Sequence, residues 1–199
     1  NYFEVMVRYL ESGDGHVSGN QSFEIFNEKH EPIGEILQRL EGNNSWAAAN
    51  RLLKYLVHQQ PKNFNRLYRL GVSETWIGQI DSAEKNFKRA AEIGGYNFNL
   101  LIALGDLSVT RGIYQDAIIF YRRAMNLDSS NSTAYLRLGM LMEALGDNTI
   151  ALRMLENAVK LNPEDAATIR ICARNLENSG QIGKAQDLYR KADKINQIV

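Results

Sequence analysis

Small residues recur along this chain at steps of seven and five residues, and this spacing restricts the fold more than any other feature of the sequence. The ladder is clearest in the stretch LGMLMEALGDNTIALRMLENAVKLNP, residues 138–163. Its steps are Gly139, Gly146, Ala151, Ala158 and Pro163. The same steps occur 34 residues earlier, at Gly105, Gly112, Ala117 and Ala124. A ladder that repeats at a fixed displacement indicates a repeated structural unit.

A frame of 34 residues extends this repeat over most of the chain. It predicts a domain over residues 30–199 that consists of five units: 30–63, 64–97, 98–131, 132–165 and 166–199. Position 20 of the unit is alanine in all five: Ala49, Ala83, Ala117, Ala151 and Ala185. Residues 1–29 do not follow the ladder. We therefore interpret them as a separate N-terminal segment, either a helical cap or a linker to an upstream region.

Within each unit the pattern predicts a helix, a tight turn and a second helix. Positions 4, 7, 8 and 11 share one face of the first helix, and positions 20, 24 and 27 share one face of the second. Small residues at positions 8, 20 and 27 let the two helices approach closely, while bulky residues at positions 4 and 24 fill the space around that contact. Position 15 is predicted to end the first helix in the left-handed conformation, which glycine and asparagine tolerate. The residues at this position are Asn44, Gly78, Gly112, Gly146 and Gly180.

This pattern resembles the tetratricopeptide repeat family, which has Gly at position 8, Ala at positions 20 and 27 and Pro at position 32 of a 34-residue unit. The resemblance covers residues 30–199. It implies an all-α fold, a right-handed superhelix (α-solenoid) of five stacked helix-turn-helix units, with an N-terminal helical extension before it. It also implies a concave groove lined by the first helices. Gly94 and Gly95 replace the helix stop of the second unit, so we expect a looser joint there.

Positions 2, 5, 9 and 12 of the first helices form a stripe away from the core, and they resemble the ligand-contacting positions of the family. The residues that we predict for a partner-binding groove are Asn65, Tyr68, Val72, Asn99, Ile102, Asp106, Leu136, Met140, Arg170 and Arg174. Two interpretations of the apolar members remain open: an exposed groove for a peptide or partner helix, or packing between neighbouring first helices. The two arginines either receive a carboxylate or are solvated.

Composition and charge exclude several classes of function. Lys plus Arg and Asp plus Glu each number 23, so no net charge attracts nucleic acid or an anionic membrane. The apolar runs are too short to span a bilayer. The three histidines lack metal-ligand spacing, and the single cysteine, Cys172, occupies a predicted core position. We therefore predict that the protein is not an enzyme and has neither a cofactor nor a metal site.

The sequence thus predicts a non-catalytic protein–protein interaction scaffold that binds a peptide or amphipathic helix of a partner protein in the groove. The alternative is an assembly or substrate-presenting segment of a larger enzyme or of a secretion or polysaccharide-export machine. Self-association through residues 1–29 or through the groove is a further alternative. The sequence leaves the compartment open between cytoplasm and periplasm, and function rests mostly on the family resemblance.

Overall fold

A computed structural model describes residues 33–197 of the protein, and these residues form ten α-helices and no strand. The helices are α1 (Ile33–Gly42), α2 (Trp46–Gln59), α3 (Phe64–Trp76), α4 (Ile80–Gly94), α5 (Phe98–Thr110), α6 (Tyr114–Leu127), α7 (Ser132–Ala144), α8 (Asn148–Leu161), α9 (Ala166–Asn178) and α10 (Ile182–Asn196). The all-α prediction is confirmed for this part of the chain. The prediction of a helical cap or linker over residues 1–29 lies outside it.

The helices pack as consecutive pairs, each consisting of a first and a second helix. Helices α3 and α4, α5 and α6, α7 and α8, and α9 and α10 make the most extensive contacts. The first helices begin at Phe64, Phe98, Ser132 and Ala166, a constant spacing of 34 residues. These starts agree with the repeat read from the sequence. The bounds of the five units, as distinct from the helices, remain a prediction.

The turn inside each pair has the backbone conformation that position 15 predicts. Gly112 has a φ of 73° and Gly146 a φ of 82°, and Asn44 adopts a φ of 57° although it has a side chain. These values lie in the left-handed region, where glycine and asparagine occur most readily. The amide of each of these residues also bonds to a carbonyl of the helix that ends there; for example, the Gly112 N–H donates to the Val109 carbonyl at 2.9 Å.

The close approach of the two helices in a pair depends on the glycines at position 8. A Cβ atom added to Gly71 would lie 2.5 Å from the ring of Phe87, and one added to Gly105 would overlap the ring of Tyr121. Both aromatic residues occupy position 24 and are buried. Gly139 has the same relation to Leu155, at 2.9 Å. The side chain at position 24 therefore fills the space that the missing side chain at position 8 leaves.

An asparagine or aspartate precedes each of four first helices and caps it. The Asn63 side-chain oxygen accepts a hydrogen bond from the Arg66 N–H at 3.1 Å, and that of Asn97 accepts one from the Leu100 N–H at 2.9 Å. Asn131 and Asp165 cap α7 and α9 in the same way. Such a cap satisfies an amide that has no partner within the helix, and it stabilises the helix by about 1 kcal/mol.

The chain divides into two compact units, which are described separately. The N-terminal unit ends at Gly95 and the C-terminal unit begins at Tyr96, so the division falls at the two glycines where a looser joint was predicted. In the N-terminal unit the largest buried apolar residues are Leu40, Leu53, Leu67 and Phe87. In the C-terminal unit one apolar cluster contains Tyr121, Leu138, Met142 and Met154, and another contains Leu155, Cys172 and Leu176.

Candidate partner-binding site

Three of the predicted groove residues lie on α3 in the N-terminal unit. Asn65 is exposed, whereas Tyr68 and Val72 are half-buried. The Tyr68 ring lies parallel to the Phe64 ring with 6.2 Å between the centroids, and the Phe87 ring is 6.2 Å away on a tilted plane. Tyr68 is therefore one member of an aromatic group whose other members are partly or fully buried. Its ring is positioned by packing as well as being partly accessible.

The other predicted residues lie on the first helices of the C-terminal unit. We use the name binding face for Asn99, Ile102, Asp106, Leu136, Met140, Arg170 and Arg174. Two of its apolar members, Ile102 and Leu136, are half-buried. Ile102 packs against the core clusters that contain Leu138 and Leu101. Leu136 packs against the cluster that contains Leu155. Met140 is 36% exposed. Ile102 and Leu136 therefore contribute to packing, and Met140 is the most accessible apolar side chain of the three.

Asp106 is part of a hydrogen-bonded and ionic group rather than a free carboxylate. The Tyr121 hydroxyl donates to Asp106 Oδ1 at 2.7 Å, and Arg137 Nε lies 3.2 Å from the same oxygen. Burial raises the pKa of the Asp106 carboxyl, and the Tyr121 hydrogen bond and the Arg137 charge oppose that rise. Burial and the neighbouring Asp106 charge raise the pKa of Tyr121, which keeps its hydroxyl protonated as the donor.

The two arginines of the binding face also have partners within the C-terminal unit. Arg174 Nη2 donates to Glu143 Oε2 at 3.0 Å, and Arg170 Nη2 donates to Asp193 Oδ1 at 2.6 Å. The Arg174 and Arg170 side chains remain 54% and 42% exposed. They are thus accessible from solvent but already engaged with carboxylates.

Ion pairs link successive first helices of this unit. Asp106 on α5 pairs with Arg137 on α7, and Glu143 on α7 pairs with Arg174 on α9. Helices α5 and α7 also contact each other directly. Successive first helices of the binding face are consequently joined by ion pairs, each between a carboxylate on one helix and an arginine on the next.

The residues predicted for the groove do not include Arg137, Tyr121 or Glu143, although each contacts a predicted residue and Glu143 occupies position 12 of the outer stripe. A usable signal exists in the repeat frame. Position 9 of one unit and position 6 of the next carry opposite charges in Asp106 and Arg137, and positions 12 and 9 do so in Glu143 and Arg174. Opposite charges at such positions of consecutive units indicate pairing between neighbouring first helices.

No group of three or more His, Cys, Asp or Glu side chains within residues 33–197 is placed to hold a metal ion. Burial raises the pKa of the Cys172 thiol to about 11, so this cysteine is protonated at neutral pH and packs as a small apolar side chain. In the same part of the chain, every helix is too short or too polar to span a bilayer.

Comparison with known proteins finds a matching repeat model and related sequences. The family model described as "Tetratricopeptide repeat" matches residues 133–165. Anaphase-promoting complex subunit 3 of Schizosaccharomyces pombe is 28% identical over 141 residues, which cover 68% of this chain and 21% of that protein. A tetratricopeptide-repeat-containing protein of Methanocaldococcus jannaschii is 27% identical over 186 residues, which cover 88% of this chain and 32% of that protein. The chain therefore spans about a fifth and about a third of the length of these curated relatives.

Solved structures agree with the fold. MamA of Desulfovibrio magneticus superposes with a TM-score of 0.67 at 18% identity, covering 83% of this chain and 93% of that one. YrrB, described as a tetratricopeptide repeat protein with an unusual peptide-binding site, superposes with a TM-score of 0.58 at 19% identity, covering 90% and 92%. Together with the helix pairs and the 34-residue repeat, these matches show that the described residues have the all-α solenoid fold of tetratricopeptide repeat proteins.

Proposed function

We propose that this chain is a non-catalytic scaffold that binds a peptide or amphipathic helix of a partner protein on the binding face of the C-terminal unit. The tetratricopeptide repeat fold supports a role in protein interaction, since helical repeat arrays present extended surfaces to partners. The description of YrrB as a peptide-binding protein of the same fold supports the same role.

Met140 carries this proposal. It is an unbranched apolar side chain, 36% exposed, on the same face as the half-buried Ile102 and Leu136. An exposed methionine contributes little to folding, but its flexible and polarizable side chain adapts to the surface of a partner. The partly buried neighbours hold the surrounding face in place, so a partner segment would meet a preformed surface with an apolar centre.

The test compares two identical substitutions within the C-terminal unit. Met140→Glu places a charge in the centre of the binding face, whereas Ile119→Glu places one at a 55% exposed position on α6, a second helix. Partners captured by the wild-type chain are identified by mass spectrometry, and one purified partner is then titrated against all three proteins by calorimetry. We expect Met140→Glu to weaken binding by about tenfold or more, equivalent to about 1.4 kcal/mol, and Ile119→Glu to leave it unchanged. Equal affinities for all three proteins would contradict the proposal.

A second candidate function is that of an assembly or substrate-presenting segment within a larger protein. The relatives favour it, because the chain matches only 21% of one and 32% of another. An antibody raised against the C-terminal unit distinguishes the two candidates in an immunoblot of the source lysate. A band far above 22.5 kDa supports the segment, and a band at 22.5 kDa contradicts it.

A further inference from the structure

The charges of the binding face are balanced inside the C-terminal unit. Asp106 pairs with Arg137 at 3.2 Å and Glu143 pairs with Arg174 at 3.0 Å, while Arg170 pairs with Asp193 on α10 at 2.6 Å. Among the charged members of the binding face, each is therefore matched by an opposite charge of the same unit. The face offers an incoming segment apolar side chains and neutral ion pairs, with no excess of positive charge.

Of the two carboxylates that pair with arginines across first helices, Asp106 and Glu143, Glu143 is the more buried. Its side chain is only 16% exposed, and Oε2 accepts the hydrogen bond from Arg174. Oε1 is buried and accepts no hydrogen bond from the described residues. If Arg174 turned to a ligand carboxylate, Glu143 would lose this hydrogen bond and the counter-charge of its buried carboxylate, which is strongly unfavourable.

Asp106 has the same relation to Arg137. The carboxylate is held by the Tyr121 hydroxyl at 2.7 Å and by the Arg137 charge. Ile102 belongs to the same helix, so an acidic ligand side chain at this apolar residue would find no unpaired positive charge on Arg137. A desolvated charge without a partner at an interface disfavours the ligand that carries it, which is how polar groups contribute to specificity.

We infer that Asp106 and Glu143 are specificity-determining residues that exclude acidic ligands, so that the partner segment bound on Ile102, Leu136 and Met140 is apolar and carries no acidic side chain. Asp106 already pairs with Arg137, and Glu143 already pairs with Arg174. Neither arginine can therefore bind a ligand carboxylate without breaking its ion pair. This inference rests on the proposed function and adds the chemistry of the ligand to it.

Two synthetic peptides test the inference. Both are short, acetylated and amidated, and built from Leu and Ala with interspersed Gln; in the second, every Gln is replaced by Glu. Fluorescence anisotropy gives the affinity of each peptide for the wild type and for Glu143→Gln. We expect the wild type to bind the uncharged peptide at least about tenfold more tightly than the acidic one. Glu143→Gln should narrow the ratio of the two affinities by raising the affinity for the acidic peptide, because Arg174 is released.

Three results would overturn the inference: equal or tighter binding of the acidic peptide by the wild type, an unchanged ratio in Glu143→Gln, or no binding of the uncharged peptide. Circular dichroism verifies that Glu143→Gln is folded, and Asp106→Asn, which releases Arg137, serves as the second variant with the same expected change. The proposed function is judged separately, by titrating the captured partner against Met140→Glu and Ile119→Glu. A partner that needs Met140 but binds through acidic side chains would overturn the inference alone.

Discussion

One helix pair of the N-terminal unit, α3 with α4, and one of the C-terminal unit, α7 with α8, differ in what they bury at equivalent positions of the repeat. In α3 and α4, positions 11 and 23 hold Glu74 and Asn86, which are 2% and 7% exposed, and the Asn86 amide donates to the Glu74 carboxylate at 2.8 Å. In α7 and α8 the same positions hold Met142 and Met154, which belong to one apolar cluster. One backbone thus accommodates either a polar pair or an apolar pair.

A second pair of positions shows the same contrast. In the N-terminal unit the Asn50 amide donates to the Ser73 hydroxyl at 3.0 Å, and both side chains are buried. Ser73 occupies position 10, where two helix pairs of the C-terminal unit hold the buried Leu107 and Leu141, while the last pair holds the buried Asn175. Buried polar pairs contribute little net stability when satisfied, and they are costly when one partner is removed. The comparison teaches that helix pairs with polar residues at these positions should respond to the same kind of substitution differently from pairs with apolar ones.

The largest expected effect breaks the polar pair of the N-terminal unit. Asn86→Leu removes the donor to Glu74 and leaves a buried carboxylate without its side-chain hydrogen bond. We expect a loss of roughly 3 kcal/mol in the free energy of unfolding, measured by urea denaturation with circular dichroism. The double variant Glu74→Met with Asn86→Met copies the C-terminal unit and should recover most of that loss. If Asn86→Leu alone is as stable as the wild type, the polar pair is not needed.

A smaller effect of opposite sign is expected at Asn175, which is position 10 of the last helix pair. This side chain is fully buried, and neither its amide nitrogen nor its amide oxygen has a hydrogen-bond partner. Asn175→Leu introduces leucine, the residue type that Leu107 and Leu141 provide at the same repeat position, and it removes the unsatisfied amide nitrogen and oxygen. We expect a gain of about 1 to 3 kcal/mol, seen as a higher urea midpoint. A lower midpoint would show that the amide has a role that its surroundings do not reveal.

The smallest effect concerns pH. Burial raises the pKa of the Glu74 carboxyl above its ordinary value of 4.5, and the Asn86 hydrogen bond opposes the rise. The folded state then binds the proton more tightly than the unfolded state, so this group's stabilising contribution is present below the unfolded pKa and is lost as pH rises through the folded pKa. As the pH rises over that range, we expect the free energy of unfolding of the wild type to fall relative to that of Glu74→Gln. A difference in the free energy of unfolding that does not change with pH would contradict a raised pKa of Glu74.

The repeat period predicted the features that depend on one helix pair. Helix starts, the left-handed turn at Gly112 and the contact between Gly105 and Tyr121 all follow from spacing, because they involve residues of one unit. A helical wheel describes a side chain relative to its own helix. It therefore placed Leu136 on the outer stripe, although a neighbouring helix pair half-buries it. The pairs of Asp106 with Arg137 and of Glu143 with Arg174 join different units, so a pattern within one unit does not contain them.

Methionine methyl resonances offer the most direct test of the central claim that the binding face receives a partner. The C-terminal unit contains the accessible Met140 and the buried Met142 and Met154, so one labelled residue type reports on both the surface and the core. When the captured partner is added to isotopically labelled protein, we predict that the Met140 methyl signal shifts strongly while those of Met142 and Met154 stay in place. An unmoved Met140 signal at saturating partner would contradict the claim.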